Sequence, residues 1–155
     1  MNLILQLLLI YSAYLVLIAA HEGGHALAIR RVGYHWQSCQ IGPLLLEPTR
    51  RPQFSGTLFG GKITYTTLSR KRLFHHDFWV IIGGILMNLL IVIATSTLFS
   101  FLPPSQRAQE WLLPMVSTLS LGMVIGSFLP FSQRYVGLDS DGLQLLRLLS
   151  KKKHY

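Results

Sequence analysis

Residues 1–29 read MNLILQLLLIYSAYLVLIAAHEGGHALAI, and the first twenty carry no charge. A bilayer crossing needs about 20 apolar residues, so this run is long enough to span one. It has no basic leading segment, it outruns the apolar core of a typical signal peptide, and Ile18-Ala19-Ala20 is a poor cleavage site. It therefore reads as a retained span rather than a removed leader. Phe78–Leu102 is a second uncharged stretch, and Trp111–Phe131 is a third, interrupted by Pro114, Gly122 and Pro130. Neighbouring helices re-satisfy the backbone around such residues in membranes. The expectation is an α-helical membrane protein with three transmembrane helices, at about 1–29, 78–102 and 111–131.

Composition agrees. Half of the 155 residues are hydrophobic and 13% are charged, against about a quarter in soluble domains, which argues against an ordinary soluble fold and against disorder. Cys39 is the single cysteine. That excludes an internal disulfide framework, a four-cysteine zinc ribbon and an iron–sulfur cluster, and leaves six histidines as potential ligands.

The net charge of +8 is distributed around the apolar blocks. Arg30, Arg31, Arg50, Arg51, Lys62, Arg70, Lys71 and Arg72 lie between the first two spans, and Arg134, Arg147 and Lys151–Lys153 follow the third. The connection Pro103–Glu110 holds Arg107 alone. By the positive-inside rule the N-terminus and this short loop face outward and the C-terminus is cytoplasmic, most simply in the cell membrane of a prokaryote. Division of the charge between two membrane-flanking segments argues against a nucleic-acid partner. Arg70-Lys71-Arg72 reads as a topology anchor touching anionic lipid, and the tail from Lys151 as solvated. Between the first two spans, about 37–68, runs such as Lys62-Ile63-Thr64-Tyr65-Thr66-Thr67 alternate with Gly42-Pro43, Glu47-Pro48, Arg51-Pro52 and Gly60-Gly61. One or two β-hairpins at the membrane surface are expected there.

His21-Glu22-Gly23-Gly24-His25 is HExxH. Residues i and i+4 share a helix face, so two imidazoles can hold one Zn²⁺ while Glu22 reaches a water beside it. Ionisable groups in an apolar helix are costly and are functional candidates for that reason. A third protein ligand is needed. Arg31 and Ala28 stand where a metzincin extension needs His and Gly. Glu47, Asp77, Asp139 and Asp141 remain. Glu47 lies in a strand or turn, Asp77 suits a helix start, and Asp141-Gly142 ordinarily signals a turn.

These residues resemble the site-2 protease family of intramembrane zinc metalloproteases. The ordered set is HExxH in the first span, Gly60-Gly61 before the second, Gly83-Gly84-Ile85-Leu86-Met87-Asn88 in it, and Ser127-Phe128-Leu129-Pro130 followed by Ser140-Asp141-Gly142. Ile85 stands at the family's proline and Ser127 at its asparagine. The resemblance covers nearly the whole chain and implies one compact domain, 1–155, without an appended PDZ or CBS module. It implies zinc held by His21, His25 and Asp141, Glu22 as catalytic base, and Asn88 as a substrate-positioning residue, although a lone intramembrane Asn serves equally well as a helix–helix contact. The expected activity is zinc-dependent cleavage of transmembrane segments of membrane proteins. The alternative is an inactive adaptor that binds transmembrane helices; retention of Glu22 favours the enzyme, since an adaptor needs no general base.

Overall fold

The computed structural model describes residues 2–66, 74–107, 110–130, 132–133 and 138–151. Arg70-Lys71-Arg72, Phe131, Arg134 and the tail beyond Lys151 lie outside these residues. The chain is mostly helical, with two long apolar helices and a small antiparallel sheet.

Helix α1 is Leu3–Arg31. Asn2 caps it by accepting the Ile4 N–H at 3.1 Å. Its C-terminus closes in a Schellman turn: Gly33, at φ +77°, donates to Arg30 O, and the Tyr34 N–H reaches Ile29 O at 2.9 Å. That turn sets Tyr34 beside Ile29 and Val80 in the main buried apolar cluster.

Helix α2 is Phe74–Phe101. It starts four residues before the expected span, because Asp77 in its first turn complements the positive end of the helix. A short α3, Pro104–Arg107, leads to α4, Leu112–Phe128. At 17 residues, α4 is about 26 Å long, short of a full crossing by length alone. It stops where Leu129, preceding Pro130, turns extended at φ −70°, ψ 127°.

α2 is the central helix, packing on both α1 and α4, which barely meet. A Cβ on Gly83 would come within 2.6 Å of the Gly24 carbonyl oxygen. The two backbones therefore touch at the Gly24–Gly83 crossing, and this approach aligns the middle of α2 with the HExxH turns.

The sheet holds four strands, the first three joined by two hairpins: β1 (His35–Ile41), β2 (Leu44–Glu47), β3 (Arg50–Phe54) and β4 (Gly61–Thr66), in the order β3-β2-β1-β4. The sequence reading misses β3 because Arg51-Pro52 signals a break. β3 lies at the sheet edge, where proline's missing N–H costs no ladder bond. The sheet lies along α1. The Tyr11 hydroxyl donates to Leu58 O at 2.9 Å, and Phe59 packs on Tyr11 and Tyr14. At the other end Tyr65 stacks on Tyr34. From Tyr11 to Ile29 is about 27 Å of helix. The sheet carries an apolar tip beside α1, where Phe54, Leu58 and Phe59 are exposed. A further pair of two-residue strands, β5 (Ser132–Gln133) and β6 (Leu138–Asp139), leads to α5, Asp141–Lys151.

Candidate metal centre

α1 buries one stripe at helical spacing, Leu17, Ile18, His21, Glu22, Gly24, His25 and Ile29, against the rest of the chain. The two histidines of that stripe are fixed from behind. His25 Nδ1 lies 2.6 Å from the Val80 carbonyl. A carbonyl only accepts, so Nδ1 carries the proton and Nε2 presents a lone pair forward unless a second proton is added. His21 Nδ1 lies 3.0 Å from the Asn88 amide, and Asn88 is wholly buried. The Asn88 backbone carbonyl accepts the hydroxyl of Ser120, also wholly buried, at 2.9 Å, which ties α4 to α2 at this level.

Asp141 arrives from the far end of the chain as the first residue of α5. Ser140 caps that helix, accepting the Leu143 N–H at 3.2 Å and donating its hydroxyl to Leu129 O at 2.6 Å. Gly142 is required next, since a Cβ there would overlap the Phe128 carbonyl. Asp-Gly is thus a helix start docked on the end of α4, and not a free turn.

The three groups converge. His21 Nε2 is 3.2 Å from Asp141 Oδ2, His25 Nε2 is 3.5 Å from Asp141 Oδ1, and the two Nε2 atoms are 3.2 Å apart. All three residues are buried. A tetrahedral zinc ion with ligands at about 2.0–2.1 Å holds those atoms about 3.3–3.4 Å from one another, so the donor set fits that metal. Asp141 Oδ2 makes no aligned hydrogen bond despite its 3.2 Å approach, leaving a buried oxygen that a cation would satisfy. Burial works against ionisation of Asp141, but the two facing imidazoles, when protonated, outweigh it and hold its carboxyl down to about 2. Gly84 leaves the room: a Cβ there would stand 2.5 Å from His25 Nε2 and 2.7 Å from His21 Nε2.

Glu22, 5% exposed, faces a cleft of about 570 Å³ bounded by α1, β4 and α4. Gly61 seals one side of it, and a Cβ there would collide with the Glu22 carboxylate and stand 2.7 Å from Ile18. Ser127 and Gly126 of α4 line the opposite wall.

The remaining candidates fall elsewhere. Glu47 pairs with Arg50 on exposed sheet surface, at 3.3 Å. Asp77 accepts from the Tyr34 hydroxyl at 3.4 Å. Asp139 lines the cleft but pairs with Arg147. Asn88 touches His21 and does not line the cleft. Burial, helped by the charge of Glu22, pushes the half-buried Cys39 thiol up to about 11, so cysteine nucleophile chemistry has no support. Sequence reasoning missed Val80, whose contribution is a backbone carbonyl, and Ser120, whose hydroxyl acts through the backbone of Asn88; neither leaves a side-chain pattern to read.

No individual curated protein and no solved structure matches the chain. Compared with known protein families, residues 9–151 match Peptidase family M50. That match takes in α1 from residue 9 onward, the sheet, α2, α4 and the whole of α5 up to Lys151, hence every residue of the His21–His25–Asp141 cluster: the chain belongs to Peptidase family M50, the site-2 protease family.

Proposed function

We propose that the protein is an intramembrane zinc metalloendopeptidase that cuts transmembrane segments of membrane proteins. The observation that carries this reading is the buried convergence of His21, His25 and Asp141 with Glu22 beside them at one cleft. A bound zinc ion would supply Lewis-acid activation of water and of the scissile carbonyl. Glu22 would take a proton from the attacking water and return it to the leaving amine. Val80 and Asn88 orient the two imidazoles. A substrate helix must unwind locally to offer its carbonyl, so cleavage is expected near helix-breaking residues.

The membrane setting rests on several features. The apolar window of α1 is 11% buried and that of α2 is 28% buried, far below what the core helix of a soluble protein would show. Trp79, half exposed on α2, lies about 33 Å along the helix from Phe101, matching the thickness of a hydrocarbon core with an aromatic at each edge. Gly84, which abuts both histidines, lies five residues beyond Trp79, or about 8 Å deeper. We read α1, α2 and α4 as three spans with the site a short way below the cytoplasmic surface, the N-terminus outside and the C-terminus inside. A reporter fused to the C-terminus is expected to be active in the cytoplasm only; activity outside would reverse the topology.

The test of function is reconstitution in vesicles with a single-span membrane peptide. Cleavage is expected, with loss on chelation and recovery on adding zinc. Cleavage indifferent to chelator would overturn the metalloprotease reading.

Asn88 is proposed as a positioning residue for His21 rather than a group that touches substrate. A His21 ligating through Nε2 carries its proton on Nδ1, and the Asn88 amide can turn its oxygen to accept it. Asn88→Leu is expected to weaken zinc binding about 10–100-fold, as for other lost outer partners of metal ligands. Asn88→Asp, which keeps an acceptor, should recover most of it. Chelator competition reads both, and undiminished affinity in Asn88→Leu would remove the assignment.

A further inference from the structure

Helix α4 has two unlike faces. Ser120 and Val124 are buried, and the Ser120 hydroxyl bonds to the backbone of α2. On the other side Thr118, Gly122 and Gly126 form a row of small residues at i, i+4 spacing. Gly122 points about 180° from the mean direction of Ser120 and Val124. Thr118 and Gly122 are exposed, and a Cβ on Gly122 or on Gly126 would meet nothing within 4 Å. The row is a groove: Leu121 and Ile125 stand exposed along one side of it, and half-buried Leu119 and Met123 along the other. Side-chain ridges of a facing helix seat in such grooves, and small residues let two membrane helices approach closely.

The groove leads to the site. Each step of four residues turns the row about 40° past a full turn, so it winds toward the cleft that Glu22 faces. Gly126 and Met123 line that cleft. α1 and α4, which flank it, barely meet. Glu22 is 5% exposed, lines the cleft and makes no hydrogen bond among the described residues. The row of small residues is therefore continuous with a cleft into which a buried carboxyl points without a hydrogen-bond partner.

We propose that the Thr118–Gly122–Gly126 groove is the docking surface for the transmembrane helix of a substrate, which packs its intact part on α4 and delivers its unwound part to the cleft where the groove ends. The proposal rests on the membrane metalloprotease reading given above. The occupant is a substrate helix rather than a second copy of the chain because Gly126 and Met123 belong to both surfaces. A copy seated on the groove would stand across the cleft. Thr118 to Gly126 is about 12 Å of helix. The contacts that select a substrate thus lie within about that distance of the cleft, toward the N-terminal end of α4. They favour a substrate face with Gly, Ala or Ser at i, i+4, where the two backbones can meet.

The experiment uses the full chain in vesicles, in a Cys39→Ser, Glu22→Gln background so that a docked peptide is not consumed. Single-span peptides carry a small-residue face and one cysteine, scanned along the span. On oxidation, Thr118→Cys and Gly122→Cys should capture peptide at cysteines about four residues apart, matching the row. Ala94→Cys, exposed on α2, should not. A peptide with Leu at its small positions should be captured less. In protein that keeps Glu22, Gly122→Leu should retain zinc and raise KM for the small-faced peptide roughly fivefold or more, the scale of a single contact between membrane helices. Ala94→Leu should cleave like the wild type. Disulfides joining two copies at position 122, capture at position 94 equal to that at 122, or an unchanged KM in Gly122→Leu would each overturn the proposal. So would loss of zinc from Gly122→Leu, which would place its effect on the metal centre and not on docking. If the wild type cuts no peptide, the enzyme reading fails, and capture at 118 and 122 decides the groove by itself: its presence upholds docking of a transmembrane helix, and its absence overturns it.

Discussion

Glu22→Gln is expected to abolish cleavage while the protein keeps its zinc. Gln is nearly isosteric with Glu, so the side chain still fits the narrow space against Gly61 and Ile18. The helix turn that spaces His21 and His25 is unchanged, and so are the contacts from Val80 and Asn88. What disappears is an acceptor for a proton at neutral pH. Proton transfer by a positioned side chain contributes about 10²–10⁴-fold, so a faint residual rate is allowed. The measurement is accumulation of an intact membrane substrate with wild type or Glu22→Gln, with zinc assayed on the same preparations. Equal cleavage by the two proteins would sink the enzymatic role of Glu22. If the variant instead restored a deletion phenotype in full, the adaptor reading would take over.

What the sequence made legible was governed by local pattern. The i, i+4 spacing of His21 and His25 places both imidazoles on one face of any helix, and the uncharged runs locate the ends of α1 and α2 to within about four residues. The sheet was half legible. Alternation revealed β1 and β4, but the edge strand containing Pro52 needs its neighbours before it can be recognised. The position of the sheet along α1 depends on the Tyr11–Leu58 and Tyr14–Phe59 contacts, about 45 residues apart in sequence, which no periodicity encodes. Asp141 is the sharpest case. Spacing left four acidic candidates, and Asp-Gly looked like a turn. Only the docking of α5 on the end of α4, with Gly142 against the Phe128 carbonyl, sets that carboxylate beside the histidines. The glycines show the same limit. Gly61 and Gly84 were visible as residues, but the reason neither carries a side chain lies in the groups facing them: Glu22 for one, both imidazoles for the other.

Asp141→Asn is expected to cost more zinc affinity than any change behind the histidines. An outer partner such as Asn88 orients a ligand and is worth about 10–100-fold; Asp141 is the proposed third donor, with its carboxylate facing the two Nε2 atoms. The loss should therefore exceed about 10²-fold, and the purified protein should carry well under one zinc. Asn keeps the size of the side chain, the Ser140 cap and the contact of Gly142 with α4. The helix start is preserved, so the effect reads on ligation and not on folding. Asp141→Ala should behave alike, with the added defect of an unfilled buried site. The control is Glu47→Ala, which removes a carboxylate from an exposed pair with Arg50 and should leave zinc unchanged. Exposed pairs of this kind add about 0–1 kcal/mol, so stability should barely move either. Zinc content and chelator competition on the three variants decide the assignment. Zinc lost from Glu47→Ala and retained in Asp141→Asn would transfer the third ligand to the sheet and break the link between α5 and the centre.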